Sequence, residues 1–249
     1  VTETKRRNHG RGHSYLLDGH KVDGVTTLIN KGFPKSALIN WAAGEVAAHA
    51  VDNWEELAEL PISERLRRLE KAHNKVRDAA AVRGTRVHTL AHRLSLGEEV
   101  EVPAELAGHV NSCIRFLDEW DVQPILTERP VFSREHSYAG SPDIVASLRD
   151  NQTWLLDYKT NRKGPYGDTA FQLAAYRYAE FYLDDDGLEQ PMPEVDEAGV
   201  VWLREDGYDL FPFQAGPDQF RTFLYISEVA RAAAQCRDYM GDPQIGAGV

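Results

Sequence analysis

Apolar and polar positions alternate with one rhythm before residue 120 and with another after it. In the first part, Leu38, Trp41, Ala42 and Val46 recur at helical spacing and predict a helix over residues 36–51. Pro61 and Ser63 open a further helical stretch, capped by Ser63, that runs over 62–96 in one or two pieces and stops at Gly97. Residues 103–120 read as another helix. Upstream, 15–17 and 25–29 have strand character on either side of the turn Asp18-Gly19. Beyond residue 120 the runs become short and β-rich: 125–132, 143–148 and 153–158, separated by Gly140, Ser141, Asp150 and Asn151. A helix is predicted over 168–183, strands over 198–203 and 208–212, and a last helix over 217–239. This order implies an α/β fold in one domain over 1–249: a central mixed β-sheet flanked by helices in 121–249, with a mainly helical part in 1–120.

The chain has 249 residues, 42% of them hydrophobic, enough for a buried core. No apolar run approaches the ~20 residues that span a bilayer. The basic Lys5, Arg6 and Arg7 are not followed by the apolar stretch of a signal peptide. The expectation is a soluble, intracellular protein with no membrane partner. Two cysteines, Cys113 and Cys236, exclude a disulfide framework, a four-cysteine zinc site and a four-cysteine iron–sulfur cluster.

The net charge of −11 argues against a polyanionic partner, but it is unevenly spread. Residues 1–100 hold 16 Lys+Arg against 13 Asp+Glu, and 101–249 hold 12 against 26. Much of the excess acid, from Asp184 to Glu197, reads as a solvated loop. Basic stretches at 5–11, 65–75 and 162–163 remain available to phosphate.

The chemistry concentrates in Gly140-Ser-Pro-Asp143 and in Leu155-Leu-Asp157-Tyr-Lys159-Thr160. Alternation along a strand puts Asp157 and Lys159 on one face, and Asp143 joins them if the two strands pair. Converging carboxylates make a hard oxygen site suited to Mg²⁺ or Mn²⁺, to which the backbone carbonyl of Tyr158 can add a ligand. A lysine beside such a metal can orient a water or stabilise charge that develops on a phosphate. The plainer alternative is a salt bridge between strand neighbours. The apolar run Trp154-Leu155-Leu156 weighs against it by setting the charges at the end of a buried strand.

These motifs resemble the RecB-like branch of the PD-(D/E)xK nucleases. The likeness is strongest over 84–176 and weaker over 15–43. Gly84-Thr-Arg-Val-His88 resembles the branch's Gly-x-x-x-His, which implies that His88 is a metal ligand beside Asp143 and Asp157. Gln172-Leu-Ala-Ala-Tyr176 resembles its Gln-x-x-x-Tyr, on one helical face. That match implies that Gln172 orients Lys159 or the phosphate and that Tyr176 donates to the DNA backbone. Glu128 matches an acidic position before the Gly-x-x-Asp hairpin and is an auxiliary ligand candidate, set against a structural partner for an Arg or Lys. Substrate contacts are assigned to Thr160, Arg162, Lys163 and Tyr166 after the Lys159 strand, and to Arg86 beside His88. The resemblance implies a DNA exonuclease without an iron–sulfur cluster, working from an end or on a single-stranded flap, in recombination, replication or repair alongside proteins of those processes, and of the kind that phages encode. A non-catalytic DNA-binding or scaffold subunit is the alternative. His88 and His92 also have the spacing of a zinc helix, but Thr89 stands where a zinc hydrolase would need its glutamate.

Overall fold

The computed structural model describes residues 3–10 and 12–243. The chain opens with β1 (Lys5–His9), β2 (Gly12–Leu17) and β3 (His20–Gly24). The β2–β3 turn is the predicted Asp18-Gly19, both residues at positive φ, as a two-residue hairpin loop requires. Residue 11 of the basic stretch 5–11 lies outside the described residues.

The expected strand over 25–29 is instead helix α1 (Val25–Gly32). Val25, Leu28 and Ile29 are buried at helical spacing, so packing overrides the β-branched composition of this stretch. Next come α2 (Ser36–Asp52), α3 (Trp54–Glu59) and α4 (Ile62–Ser95). The 34 residues of α4 form one unbroken helix, about 50 Å long at 1.5 Å per residue. Its buried residues, Val87 and Ala91, lie near its C-terminal end, so the rest of α4 and the adjoining α2 form an exposed arm. A short 3₁₀ turn at Ala104–Leu106 precedes α5 (Ala107–Glu119).

The second half contains β4 (Gln123–Thr127), β5 (Val131–Ser133), β6 (Tyr138–Gly140), β7 (Ile144–Ser147) and β8 (Thr153–Lys159). After them come α6 (Thr169–Arg177), β9 (Phe181–Leu183), β10 (Glu189–Pro191), β11 (Glu197–Leu203), β12 (Tyr208–Pro212) and α7 (Pro217–Gln235). The helix expected over 168–183 therefore stops at Arg177. Phe181 and Leu183 are buried in alternation with Tyr182, and this stretch pairs as a strand with β5.

The strands form two mixed sheets rather than one. The first has the order β12-β11-β8-β7-β4, with β8 and β11 parallel and the other pairs antiparallel. The second has the order β1-β2-β3-β6-β5-β9-β10, with β3 and β6 parallel. The hairpin strands at the N-terminus thus belong to a sheet completed by the C-terminal half, and the helical content of the first half is confined to 25–119.

The five-stranded sheet is covered on both faces. Leu155, Val145 and Val200 pack with Leu28, Leu173 and Phe223 of α1, α6 and α7. Leu156, Tyr158, Ile144 and Val201 pack with Val87, Val110 and Phe116 of α4 and α5. Burial on both faces explains the unbroken apolar run that leads into Asp157. Each such side chain taken from water contributes roughly 1.5–3 kcal/mol. Among the described residues no helix is long and apolar enough to cross a membrane. Cys113 is buried and Cys236 exposed, both as free thiols.

Candidate metal centre

The chain crosses from one sheet to the other between β4 and β5, and crosses back between β6 and β7. The expected strand over 125–132 is broken at the first crossing, where Glu128 adopts a left-handed backbone (φ 53°) just before Pro130 removes a ladder donor. A non-glycine residue held there costs of order 1–3 kcal/mol, which marks the position as constrained. The Glu128 N–H donates to the Asp143 carbonyl at 3.1 Å, which ties the two crossings together. Both acids therefore sit where the sheets diverge.

Asp143, just ahead of β7, accepts the Tyr158 N–H at Oδ2 (2.7 Å) and faces His88 Nδ1 from Oδ1 (3.2 Å). His88 comes from α4, one turn after Gly84. A Cβ built at Gly84 would stand 3.5 Å from Thr160 Oγ1. One ligand atom each from His88, Glu128 and Asp143 lies within 4.8 Å of the others. One imidazole and two carboxylates so disposed can hold a divalent cation.

Asp157 and Lys159 stand beside this trio on β8. Lys159 Nζ is 2.6 Å from Asp157 Oδ2, and Gln172 Nε2 on α6 donates to Oδ1 at 2.7 Å. Gln172 thus orients Asp157 rather than Lys159. Asp157 Oδ2 is buried against the Lys159 ammonium, and the mutually close trio of ligand atoms does not include Asp157. Tyr176 lies 3.4 Å from Gln172 through its hydroxyl and is 3% exposed. It supports Gln172 from within the core and does not reach a substrate surface, contrary to the expected contact with DNA. Its ring packs on Gly140, where a Cβ would lie 2.3 Å from Tyr176 Cε1. The glycine of Gly-x-x-Asp is there to let that ring in.

The charges are strongly coupled. Burial opposes the charged imidazolium of His88, but the Asp143 carboxylate outweighs it and raises His88 to about 9. Burial likewise opposes ionisation of Asp143, yet His88 holds it below the usual carboxylate range. Burial raises Asp157 despite Lys159, and burial with the Asp143 charge raises Glu128. Lys159 is raised, since Asp157 and Asp143 overcome its desolvation.

An open cavity of about 310 Å³ adjoins the trio, lined by Gly84, His88, Lys159, Thr160, Asn161, Pro165 and Tyr166. Trp202 Nε1 donates to the Asn161 carbonyl (2.8 Å) and pins the base of the 160–168 loop, which exposes Arg162, Lys163 and Tyr166. Arg86 points elsewhere: two residues from His88 it falls on another face of α4 and pairs with Glu105 at 2.9 Å. His92 is not part of the trio. Sequence reasoning passed over Ser141 and Tyr15, whose oxygens lie 3.2 Å apart beside Arg6. The available signal was the alternation of β1, which turns Arg6 away from Lys5 and Arg7. No family model matches the chain, and no curated protein matches it in sequence.

Proposed function

We propose that this chain is a divalent-metal-dependent nuclease that hydrolyses phosphodiester bonds in DNA, using Mg²⁺ or Mn²⁺. The observation that carries the reading is the mutual approach of His88, Glu128 and Asp143 within 4.8 Å beside the Asp157–Lys159 pair. His88, Glu128 and Asp143 hold the cation; Asp157, which the family resemblance implies as a further ligand, would share its Oδ2 between the cation and Lys159. When bound, the cation acidifies a water and screens phosphate charge. Lys159 is cationic at neutral pH and lines the cavity, where it donates to the attacking water or to a non-bridging phosphate oxygen. Gln172 fixes Asp157, which in turn fixes Lys159. Exposed Tyr166 offers a ring for a base to stack on, with Arg162 and Lys163 beside it for phosphates.

The acidity of the whole chain does not oppose this reading locally. α4, which leads to His88, carries nine Lys+Arg against three acids; Arg67, Arg68, Arg77, Arg86 and Arg93 are paired with nearby carboxylates, which leaves a modest basic surplus toward a polyanion. Exonucleolytic action from an end, and a role in recombination, replication or repair, rest on the family resemblance. Digestion of end-labelled single- and double-stranded DNA, with Mg²⁺, Mn²⁺ or EDTA, tests the proposal. Metal-dependent products absent from a Lys159→Ala control are expected. No cleavage above that control would favour a DNA-binding or scaffold role.

A further inference from the structure

We infer that Arg6, delivered by the N-terminal hairpin, contacts a substrate phosphate at the edge of the metal centre, next to the one hydrolysed. The inference rests on the nuclease reading and adds to it a residue from the far end of the chain.

Three observations lead there. First, Arg6 is held in place. On β1 it pairs in register with Tyr15 of β2, and its Nη1 donates to Ser141 Oγ at 3.2 Å. The Tyr15 hydroxyl lies 3.2 Å from the same Ser141 oxygen, so two residues fix the guanidinium against the Gly140–Asp143 crossing. Second, its donors are not all spent. It forms an ion pair with Glu128 Oε2 at 3.7 Å, longer than a normal hydrogen bond, and Nε is buried without a partner among the described residues. A guanidinium has five N–H donors in a fixed fork suited to a phosphate, and here one is used well. Third, Arg6 stands at the edge of the centre: Glu128, the carboxylate it faces at 3.7 Å, is a member of the trio, so a phosphate that approaches a cation held there comes near this guanidinium. An arginine that served only to neutralise Glu128 would compete with the cation for that carboxylate.

The test compares wild type with Arg6→Gln and Arg6→Lys on single-stranded oligonucleotides that carry one neutral methylphosphonate at successive linkages. With wild type, one non-scissile position should raise KM about tenfold or more, the scale of a lost charge-assisted hydrogen bond, with kcat changed far less. Arg6→Gln should show that KM on the unmodified strand and be insensitive to the modification at that position. Arg6→Lys should recover part of the loss. Mn²⁺ titration of the protein alone supplies a readout besides cleavage: Arg6→Gln should leave the affinity for the ion close to that of wild type, whereas markedly tighter binding would show that Arg6 serves to neutralise Glu128 and would overturn the phosphate role. Cleavage by wild type together with an unchanged KM for Arg6→Gln, or with additive losses from variant and methylphosphonate, would overturn the role of Arg6 alone. If wild type cleaves no oligonucleotide, the nuclease reading falls and this inference falls with it. Matching circular dichroism and thermal midpoints exclude a folding defect as the cause.

Discussion

Gly140→Ala should damage the centre without touching any charged residue. A Cβ at this position would stand 2.3 Å from Tyr176 Cε1, 3.0 Å from Cδ1 and 3.3 Å from Cζ. Carbon atoms in contact keep about 3.5–4.0 Å, so the ring must retreat by about 1 Å. Tyr176 is 3% exposed and packs among Leu173, Ala174 and Ala175 in the core, so it has little room to do so. Overpacking of this kind costs about 1–3 kcal/mol. In a protein of this size about 2 kcal/mol lowers the thermal midpoint by roughly 4–8 °C. The displacement also moves the hydroxyl that Gln172 meets, and with it the bond from Gln172 to Asp157, so metal-dependent cleavage should fall as well. Urea and thermal melts of Gly140→Ala, Tyr176→Leu and the double variant give the coupling. The smaller leucine should relieve the clash, making the double variant more stable than the sum of the single losses by about 1 kcal/mol or more. Additive losses, or a Gly140→Ala protein as stable as wild type, would refute the account of why glycine stands there.

Without added metal, protonated His88 stabilises the fold through Asp143. Its folded pKa of about 9 lies above the ordinary 6.5, so the contribution is complete below about 6.5 and is lost as pH rises through about 9. A shift of that size corresponds to roughly 3 kcal/mol at most, visible as a thermal midpoint that falls over this window in wild type and stays flatter in His88→Gln. Because the proton must leave before His88 can ligate, apparent Mn²⁺ affinity measured by calorimetry should rise up to about tenfold per pH unit below pH 9. Lys159→Ala strands the buried Asp157 carboxylate and should cost about 3–5 kcal/mol in urea melts if the charge persists, with partial recovery when Asp157→Asn is added. The same Lys159→Ala should lower cleavage at least about a hundredfold, the scale seen when a transition-state donor is removed.

Much of the centre was legible because it depends on local rules. Strand alternation alone put Asp157 and Lys159 on one face, and the i,i+4 spacing of Gln172 and Tyr176 put both on the face of α6 that meets β8. The apolar run before Asp157 signalled a buried strand, and the structure covers that strand on both faces. What escaped was set by tertiary context. A second sheet drew β5, β6 and β9 away from the first, and no local pattern announces which sheet a three-residue strand will join. Val25-Thr-Thr has strand composition, yet it became helical because Val25, Leu28 and Ile29 find a core at that spacing. Glu128 was read as an auxiliary ligand or a structural partner for an Arg or Lys, and it meets both descriptions, within 4.8 Å of His88 and Asp143 and ion-paired with Arg6 at 3.7 Å, from a left-handed backbone at a sheet crossing. Tyr176 and Arg86 were assigned to substrate from motif position alone, whereas burial and the Glu105 ion pair put them to other uses. Arg6 lies more than a hundred residues from its neighbours Glu128 and Ser141, beyond the reach of any spacing argument.

The most direct test is an anomalous-difference map from crystals of this protein equilibrated with Mn²⁺. The account predicts one strong peak at coordination distance, about 2.0–2.3 Å, from His88 and from carboxylate oxygens of Glu128 and Asp143. An occupied peak bound elsewhere, or none at millimolar Mn²⁺ above pH 8, would contradict it.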